Sequence, residues 1–124
     1  MLNEIRKLRQ SFQVPDPIVI FNKSHSGSRL LAEILIRSGI YMGVNRNISH
    51  DAIDLLDIVR YFVLHYYPDY YQLWSADCCD DKALDILEKA FKDHLSGWDA
   101  GHFTQWGWKL CETTYIITVI DALF

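Results

Sequence analysis

The feature that most constrains the fold is a short apolar run at residues 18–21, followed at once by a small polar loop and then by a helical pattern. A run without polar alternation is typical of a strand covered on both faces, as in a parallel sheet. From Ser28 the apolar residues follow a helical period, and Gly39 is placed to end the helix. Strand, glycine-containing loop and helix together predict the start of a βαβ unit. The apolar residues that share one face of this helix are Leu30, Leu31, Ile34 and Leu35.

The rest of the chain predicts further helices and one more strand. A short amphipathic helix precedes Val14, and apolar residues at helical spacing predict helices over 51–67 and 82–95. Residues 106–110 are a candidate second strand. Residues 113–120 have the composition of a strand, but the positions 115, 119, 122 and 123 also share a helix face.

Composition limits the classes of protein that are possible. The chain has 124 residues, half of them hydrophobic, and a net charge of −4. This size suits one domain, and the charge gives no support for a nucleic-acid or membrane-surface protein. Three cysteines, two of them adjacent, make a poor disulfide framework, so we expect reduced thiols and a cytoplasmic protein. The N-terminal pattern predicts a helix rather than a signal peptide, and the sequence has no apolar segment long enough to span a membrane and no HxxxH or CxxC pair for zinc.

The loop at residues 22–29 is the segment that points to chemistry. A loop between a buried strand and a helix N-terminus presents free backbone N–H groups and the positive end of the helix dipole, which suit phosphate or sulfate. Gly27 permits a close approach of the anion. The candidate hydroxyl donors are Ser24, Ser26 and Ser28, and the candidate cations are Lys23, His25 and Arg29.

This loop lacks the residues of an ATP-hydrolysing P-loop. In the pattern GxxxxGK[ST], Asn22 stands in place of the first glycine, Ser28 in place of the lysine and Arg29 in place of the magnesium-binding hydroxyl. An ATPase or GTPase is therefore disfavoured. An ordinary polar turn between a strand and a helix is the alternative, since serine and glycine are common there.

Two segments resemble a known family, the sulfotransferases that use 3′-phosphoadenosine 5′-phosphosulfate (PAPS). Residues 17–43 resemble the family's 5′-phosphosulfate-binding segment, with Ser26-Gly27-Ser28 in place of Ser-Gly-Thr and His25 in place of the usual Lys or Arg. Residues 107–115 resemble its Gly-Trp-Lys-x-Pro-Glu-Thr segment, with Cys111 in place of the proline. In that family a strand ends near the position of Lys109 and a helix comes next. We therefore expect residues from about 113 to be helical.

The resemblance implies a reaction and a set of roles. A sulfuryl group would pass from PAPS to a hydroxyl or amine acceptor without a metal. The implied catalytic residues are Lys23, His25, Lys109 and Glu112, with Glu112 as the general base, and those implied to bind the 5′-phosphate are Ser24, Ser26, Gly27, Ser28 and Arg29. Asp51 is a second candidate for the base, although its position also suits the start of a helix.

The resemblance also implies a fold, a P-loop-like three-layer αβα arrangement with a parallel sheet. One domain would span residues 1–124, with a phosphate-binding unit at 15–43, a helical acceptor-side region at 44–105, and a second strand and helix at 106–124. Because the family's Arg-Asp strand and 3′-phosphate site are not seen in this sequence, we expect a fragment that is inactive by itself. The alternatives are a P-loop nucleotide-binding kinase-like protein and a non-catalytic remnant or interaction domain.

Overall fold

A computed structural model describes residues 2–23, 27–66, 76 and 79–124, and shows a mixed α/β protein. Within these residues two strands pair in parallel and five α-helices surround them. Short 3-10 helices precede α3 (Ile53–Leu55), follow α4 (Leu95–Gly97) and precede α5 (Cys111–Ile116). The main elements are α1 (Leu2–Ser11), β1 (Ile18–Ile20), α2 (Ser28–Arg37), α3 (Leu56–Tyr66), α4 (Asp81–His94), β2 (Gly107–Lys109) and α5 (Ile117–Leu123).

The sheet confirms the prediction of parallel pairing. Ile18 is opposite Gly107, and Ile20 is opposite Lys109. Single parallel bridges join Tyr41 to Trp106, just before β2, and Asp51 to Lys109 of β2, on the edge of β2 away from β1. We predicted a central strand at 18–21, but among the described residues β1 has only β2 as a partner strand and so lies at the edge.

The two faces of β1 pack against different groups of residues. Val19 contacts the larger apolar cluster, which contains most of the buried residues of α3, α4 and α5. Ile20 belongs to a smaller cluster with Ala32 of α2 and with Met42. The predicted apolar run is therefore packed from both sides, as its composition indicated.

Helix α2 packs through a different face from its most apolar one. Its buried residues are Ser28 and Ala32, whose small side chains let the helix backbone lie close to the sheet. Leu30, Leu31 and Ile34 instead have exposed fractions of 66%, 47% and 51%. A helical period in the sequence identifies a face of the helix but not the surface that this face meets.

The larger cluster is built around aromatic side chains. Trp106, just before β2, and Trp108, within it, are fully buried, and both have ring contacts with Phe91 of α4 and with Phe124. Each indole N–H has a partner: Trp106 donates to the Pro15 carbonyl and Trp108 to the Thr113 hydroxyl. Since a buried N–H without an acceptor is costly, these two bonds help to hold the residues after α1 and the residues after β2 in place.

The C-terminal segment is helical, which confirms the choice of a helix over a strand. Its first turns are the 3-10 helix from Cys111, and α5 continues from Ile117. The predicted helix at 51–67 starts later than expected, with a 3-10 turn at Ile53, because Asp51 pairs with β2 instead. In the described part of the chain, no helix has the length and apolar character needed to cross a membrane.

Candidate anion-binding site

The carboxyl ends of β1 and β2 open into one cavity. Because the strands are parallel, the segments that follow them emerge at the same edge of the sheet, where ligands commonly bind in α/β proteins. The cavity has a volume of about 330 Å³. The described residues that line it are Gly27, Ser28, Arg29, Ser49, Asp51, Lys109, Cys111 and Glu112.

The N-terminus of α2 forms one wall of this cavity. Gly27 precedes the helix with φ of +87°, a conformation that favours glycine. The first helical hydrogen bonds run from the amides of Leu30 and Leu31 to the Gly27 carbonyl. The amides of Ser28 and Arg29 therefore come before the first helical bond, which is where an anion or water normally supplies the acceptor.

Cys111 connects the segments that follow the two strands. Its Sγ lies 3.7 Å from Asn22 Oδ1, just after β1, and 4.0 Å from Ser28 Oγ, at the start of α2. These are weak hydrogen bonds, since sulfur is a poor donor and acceptor. They place the thiol, which stands where the resemblance expects proline, against the base of the cavity.

Lys109, the last residue of β2, also lines the cavity. Its side chain is 5% exposed. The ammonium donates to Asp51 Oδ1 at 2.8 Å and to the Ser49 carbonyl at 3.0 Å. A buried lysine needs such partners, because an unpaired charge away from water is strongly unfavourable. Glu112, in the 3-10 helix after β2, is partly exposed and lines the same cavity.

The loop at residues 47–51 carries both of the groups that hold Lys109. Asn47 organises it: its Oδ1 accepts from the amides of Ser49 and Asp51, and its Nδ2 donates to Asp51 Oδ2 at 2.9 Å. His50 has φ of +65°, an uncommon conformation for a residue other than glycine. Together, these bonds present the Ser49 carbonyl and the Asp51 carboxylate to the same ammonium.

The same loop is also bonded to α2. His50 Nε2 lies 2.5 Å from Glu33 Oε2, and the other Glu33 oxygen accepts from Arg37 at 2.8 Å. The hydrogen bond from Arg37, and then that from His50, lowers the pKa of Glu33 below its usual value. Glu33 lies one turn beyond Arg29 on α2, so the 47–51 loop joins the helix near the cavity to the lysine of β2.

The structure brings together most of the described residues that the sequence predicted for the site. Gly27, Ser28 and Arg29 meet Lys109 and Glu112 around one cavity, although they are far apart in the chain. Lys23 is exposed and does not line the cavity. Ser24, His25 and Ser26 were also predicted for the site and lie outside the described residues.

Sequence reasoning missed Ser49 and the site role of Cys111, and assigned Asp51 mainly to a helix start. Asp51 does not begin a helix, since its backbone bridges to Lys109 and its carboxylate binds the ammonium. A cluster of Asn, Ser and Asp is a known turn signal, and could have indicated a structured loop at 47–51. No sequence signal indicated that this loop would contact β2.

The charges around the cavity are nearly balanced. Arg29 and Lys109 contribute two positive charges, and Asp51 and Glu112 contribute two negative ones. The α2 dipole and the amides at its N-terminus add positive potential on one side. Within the described residues, no group of three or more His, Cys, Asp or Glu is placed to hold a metal ion.

Comparisons with protein-family models, with curated proteins and with solved structures gave no significant match. The assignment of a function therefore depends on the residues of this chain and on the cavity that they line.

Proposed function

We propose that this chain is a sulfotransferase-like protein that binds PAPS and transfers its sulfuryl group to a hydroxyl or amine acceptor. The observation that carries the proposal is the cavity in which the N-terminus of α2 faces Lys109 and Glu112. Both segments that resemble the family contribute to this one cavity, and the P-loop-like three-layer fold is part of the same proposal. The volume of the cavity, about 330 Å³, is at the lower end of the range typical of small-molecule sites.

The roles follow from the positions of the charged groups. The amides of Ser28 and Arg29, with the Arg29 side chain, would hold the 5′-phosphate. Lys109, which lines the same cavity, would donate to the sulfuryl group. Glu112, the carboxylate of the cavity that is not bonded to Lys109, would accept the proton of the acceptor.

The reaction is a displacement at sulfur. The acceptor oxygen or nitrogen would form a bond to sulfur while the bond between sulfur and the bridging phosphate oxygen breaks. Glu112 takes the acceptor's proton, and adenosine 3′,5′-bisphosphate leaves with the electron pair of the broken bond. In this scheme the chain's own contribution is to hold the anion, to neutralise its growing charge and to remove a proton.

Gly27→Val tests whether the N-terminus of α2 binds the nucleotide. A Cβ at Gly27 meets no atom of the described residues within 4 Å, so the valine side chain would project beside the amides of Ser28 and Arg29. We expect affinity for adenosine 3′,5′-bisphosphate, measured by isothermal titration calorimetry, to fall by at least about tenfold, because a charged hydrogen bond contributes ~1.5–3 kcal/mol.

Gly39→Val is a matched control for this substitution. Gly39 has φ of +86° and equally open surroundings, but it follows the C-terminus of α2 rather than preceding the N-terminus. Both valines impose a similar backbone strain, so only Gly27→Val should weaken binding. Unchanged bisphosphate binding in a folded Gly27→Val variant would show that the nucleotide does not bind at this helix end.

Substituting the cations singly identifies the one that contacts the phosphate. Arg29→Ala should lower affinity for the bisphosphate by about 10-fold or more, the loss of one charged hydrogen bond. Arg37→Ala, on the same helix but bonded to Glu33, should leave affinity unchanged.

The same titration of Lys23→Ala and His25→Ala tests the other two candidate cations. If His25 contacts the phosphate, the effect of its substitution should grow as the pH falls below about 6.5, where imidazole is protonated. Equal affinities for all four variants and the unsubstituted chain would contradict the proposed phosphate contact.

A further inference from the structure

We propose that Asp51, oriented by Asn47, is a positioning residue that holds Lys109 for the bound anion rather than a proton acceptor. The inference rests on the proposed function, because it concerns the same cavity. It assigns a role in binding to the 47–51 loop, which neither resembling segment contains.

The hydrogen bonds of Asp51 argue against its acting as the base. Its Oδ1 accepts from Lys109 and its Oδ2 accepts from Asn47 Nδ2, so both oxygens are engaged. A carboxylate oxygen that already accepts a hydrogen bond from a buried ammonium is less accessible to the proton of a molecule bound in the cavity. Glu112 lines the same cavity without such a bond to Lys109, which leaves it as the better candidate for proton transfer.

The hydrogen bonds of Lys109 show what Asp51 provides. An ammonium has three N–H donors, and two of those of Lys109 are used by Asp51 and by the Ser49 carbonyl. One donor then remains for a ligand in the cavity. Because the side chain is held at two points and is 5% exposed, binding a ligand requires little further ordering of a flexible chain.

The loop itself is built to hold this geometry. Three hydrogen bonds of the Asn47 side chain fix the backbone and the carboxylate that face Lys109. The left-handed conformation of His50 costs free energy, and the bond to Glu33 helps to retain it. The loop thereby sets the position of Lys109 relative to α2, whose N-terminus would hold the phosphate.

The direction in which Asp51→Ala changes anion affinity distinguishes a positioning role of Asp51 from an effect of its charge alone. Asp51 is a negative group beside an anion site, so if only its charge mattered, Asp51→Ala would tighten anion binding. If it positions Lys109, the same substitution releases the ammonium and weakens binding. Asn47→Ala adds a second test, since it changes no charge and removes the bonds that orient Asp51.

The experiment measures dissociation constants for adenosine 3′,5′-bisphosphate by titration calorimetry, with folding checked by circular dichroism. We expect Asp51→Ala to weaken binding about tenfold and Asn47→Ala about threefold. The double variant, with Asp51→Ala and Lys109→Ala, should bind the bisphosphate no more weakly than Lys109→Ala alone. This is the result expected when two residues act as one unit. The matched controls are Asn45→Ala, whose partner is Asp54, and Asp57→Ala, whose partner is Arg60; both should bind like the unsubstituted chain.

A second measurement does not depend on the ligand. The rate at which an amine-acylating reagent modifies Lys109, followed by mass spectrometry, should be low in the unsubstituted chain compared with that of the exposed Lys89 and Lys92. Asp51→Ala and Asn47→Ala should raise the rate at Lys109. Because folded Asn47→Ala retains the ion pair's charges, it remains informative if Asp51→Ala, which leaves a buried ammonium unpaired, does not fold.

The results for the variants test the positioning role of Asp51, and the result for the unsubstituted chain tests the proposed function. Unchanged or tighter binding by Asp51→Ala or Asn47→Ala, with binding by the unsubstituted chain intact, would overturn the positioning role alone. An unchanged acylation rate at Lys109 in these variants would overturn it too. No binding of the bisphosphate by the unsubstituted chain would overturn the proposed function, and with it the positioning of Lys109 for that ligand.

Discussion

Gly107→Ala is expected to destabilise the described fold strongly. A Cβ at this position would lie 1.9 Å from the Ile18 carbonyl oxygen, which belongs to the backbone of β1 and cannot move without breaking the sheet. Gly107 also donates its amide to Tyr41 and accepts from His94, so a shift of β2 would disturb those bonds as well. We expect a loss of more than ~3 kcal/mol in the free energy of unfolding, measured by urea denaturation.

Gly101→Ala is the matched control, because Gly101 is exposed and its added Cβ would meet a surface side chain rather than the backbone of the sheet. The nearest atom to its added Cβ is the side-chain oxygen of Asp99, at 3.3 Å. A change within about 0.5 kcal/mol is expected there, as for most surface substitutions. A Gly107→Ala variant with the stability of the unsubstituted chain would show that β1 and β2 are not paired in this register.

The second large effect concerns His94, which should make the protein less stable as the pH falls below about 6.5. Its ring is 1% exposed, and its Nε2 donates to the Gly107 carbonyl at 2.9 Å. Burial lowers the pKa of His94 below that of a histidine in the unfolded chain. The Nδ1 atom has no partner among the described residues, so a proton added there would be buried without an acceptor.

The sign of this effect follows from proton binding. Below a pH of about 6.5 the unfolded chain binds a proton at His94 that the folded chain does not, so stability decreases on acidification until the folded-state pKa is reached. The slope contributed by one site is at most ~1.4 kcal/mol per pH unit. Above that range the full stabilisation is present, and urea denaturation between pH 5 and pH 7.5 measures the change.

His94→Gln separates this contribution from those of other groups. Its amide can still donate to the Gly107 carbonyl but does not titrate, so the pH dependence above pH 5 should become flatter. His102→Gln, at an exposed histidine, should leave the slope unchanged. Parallel pH profiles for His94→Gln and the unsubstituted chain would exclude His94 as the source of the acid sensitivity.

Several elements could be predicted because their signals are local. The apolar run of β1 and the helical period of α2 lie next to each other in the sequence, and the structure forms a strand and a helix over nearly the predicted residues. The helix after β2 was harder, since its β-branched residues favour a strand. In the structure the segment is helical, and its buried residues, Ile116, Val119, Ile120 and Leu123, recur at helical spacing.

The candidate site could be predicted only in part. The N-terminus of α2, Lys109 and Glu112 belong to short segments that can be recognised separately. The 47–51 loop could not be assigned to the site, because its role depends on a salt bridge between Asp51 and a residue on another element. Such a contact has no periodicity or local composition that marks it in the sequence.

The amino-acid sequence by itself determined the local elements, since backbone conformation, helical period and turn residues act over a few neighbouring positions. Only the tertiary structure decided which surfaces meet. It put the small residues of α2, rather than Leu30 and Leu31, towards the sheet, and it buried Lys109 against Asp51. The physical reason is that packing and desolvation depend on groups distant in the chain, so the partner of each side chain is set when the elements come together.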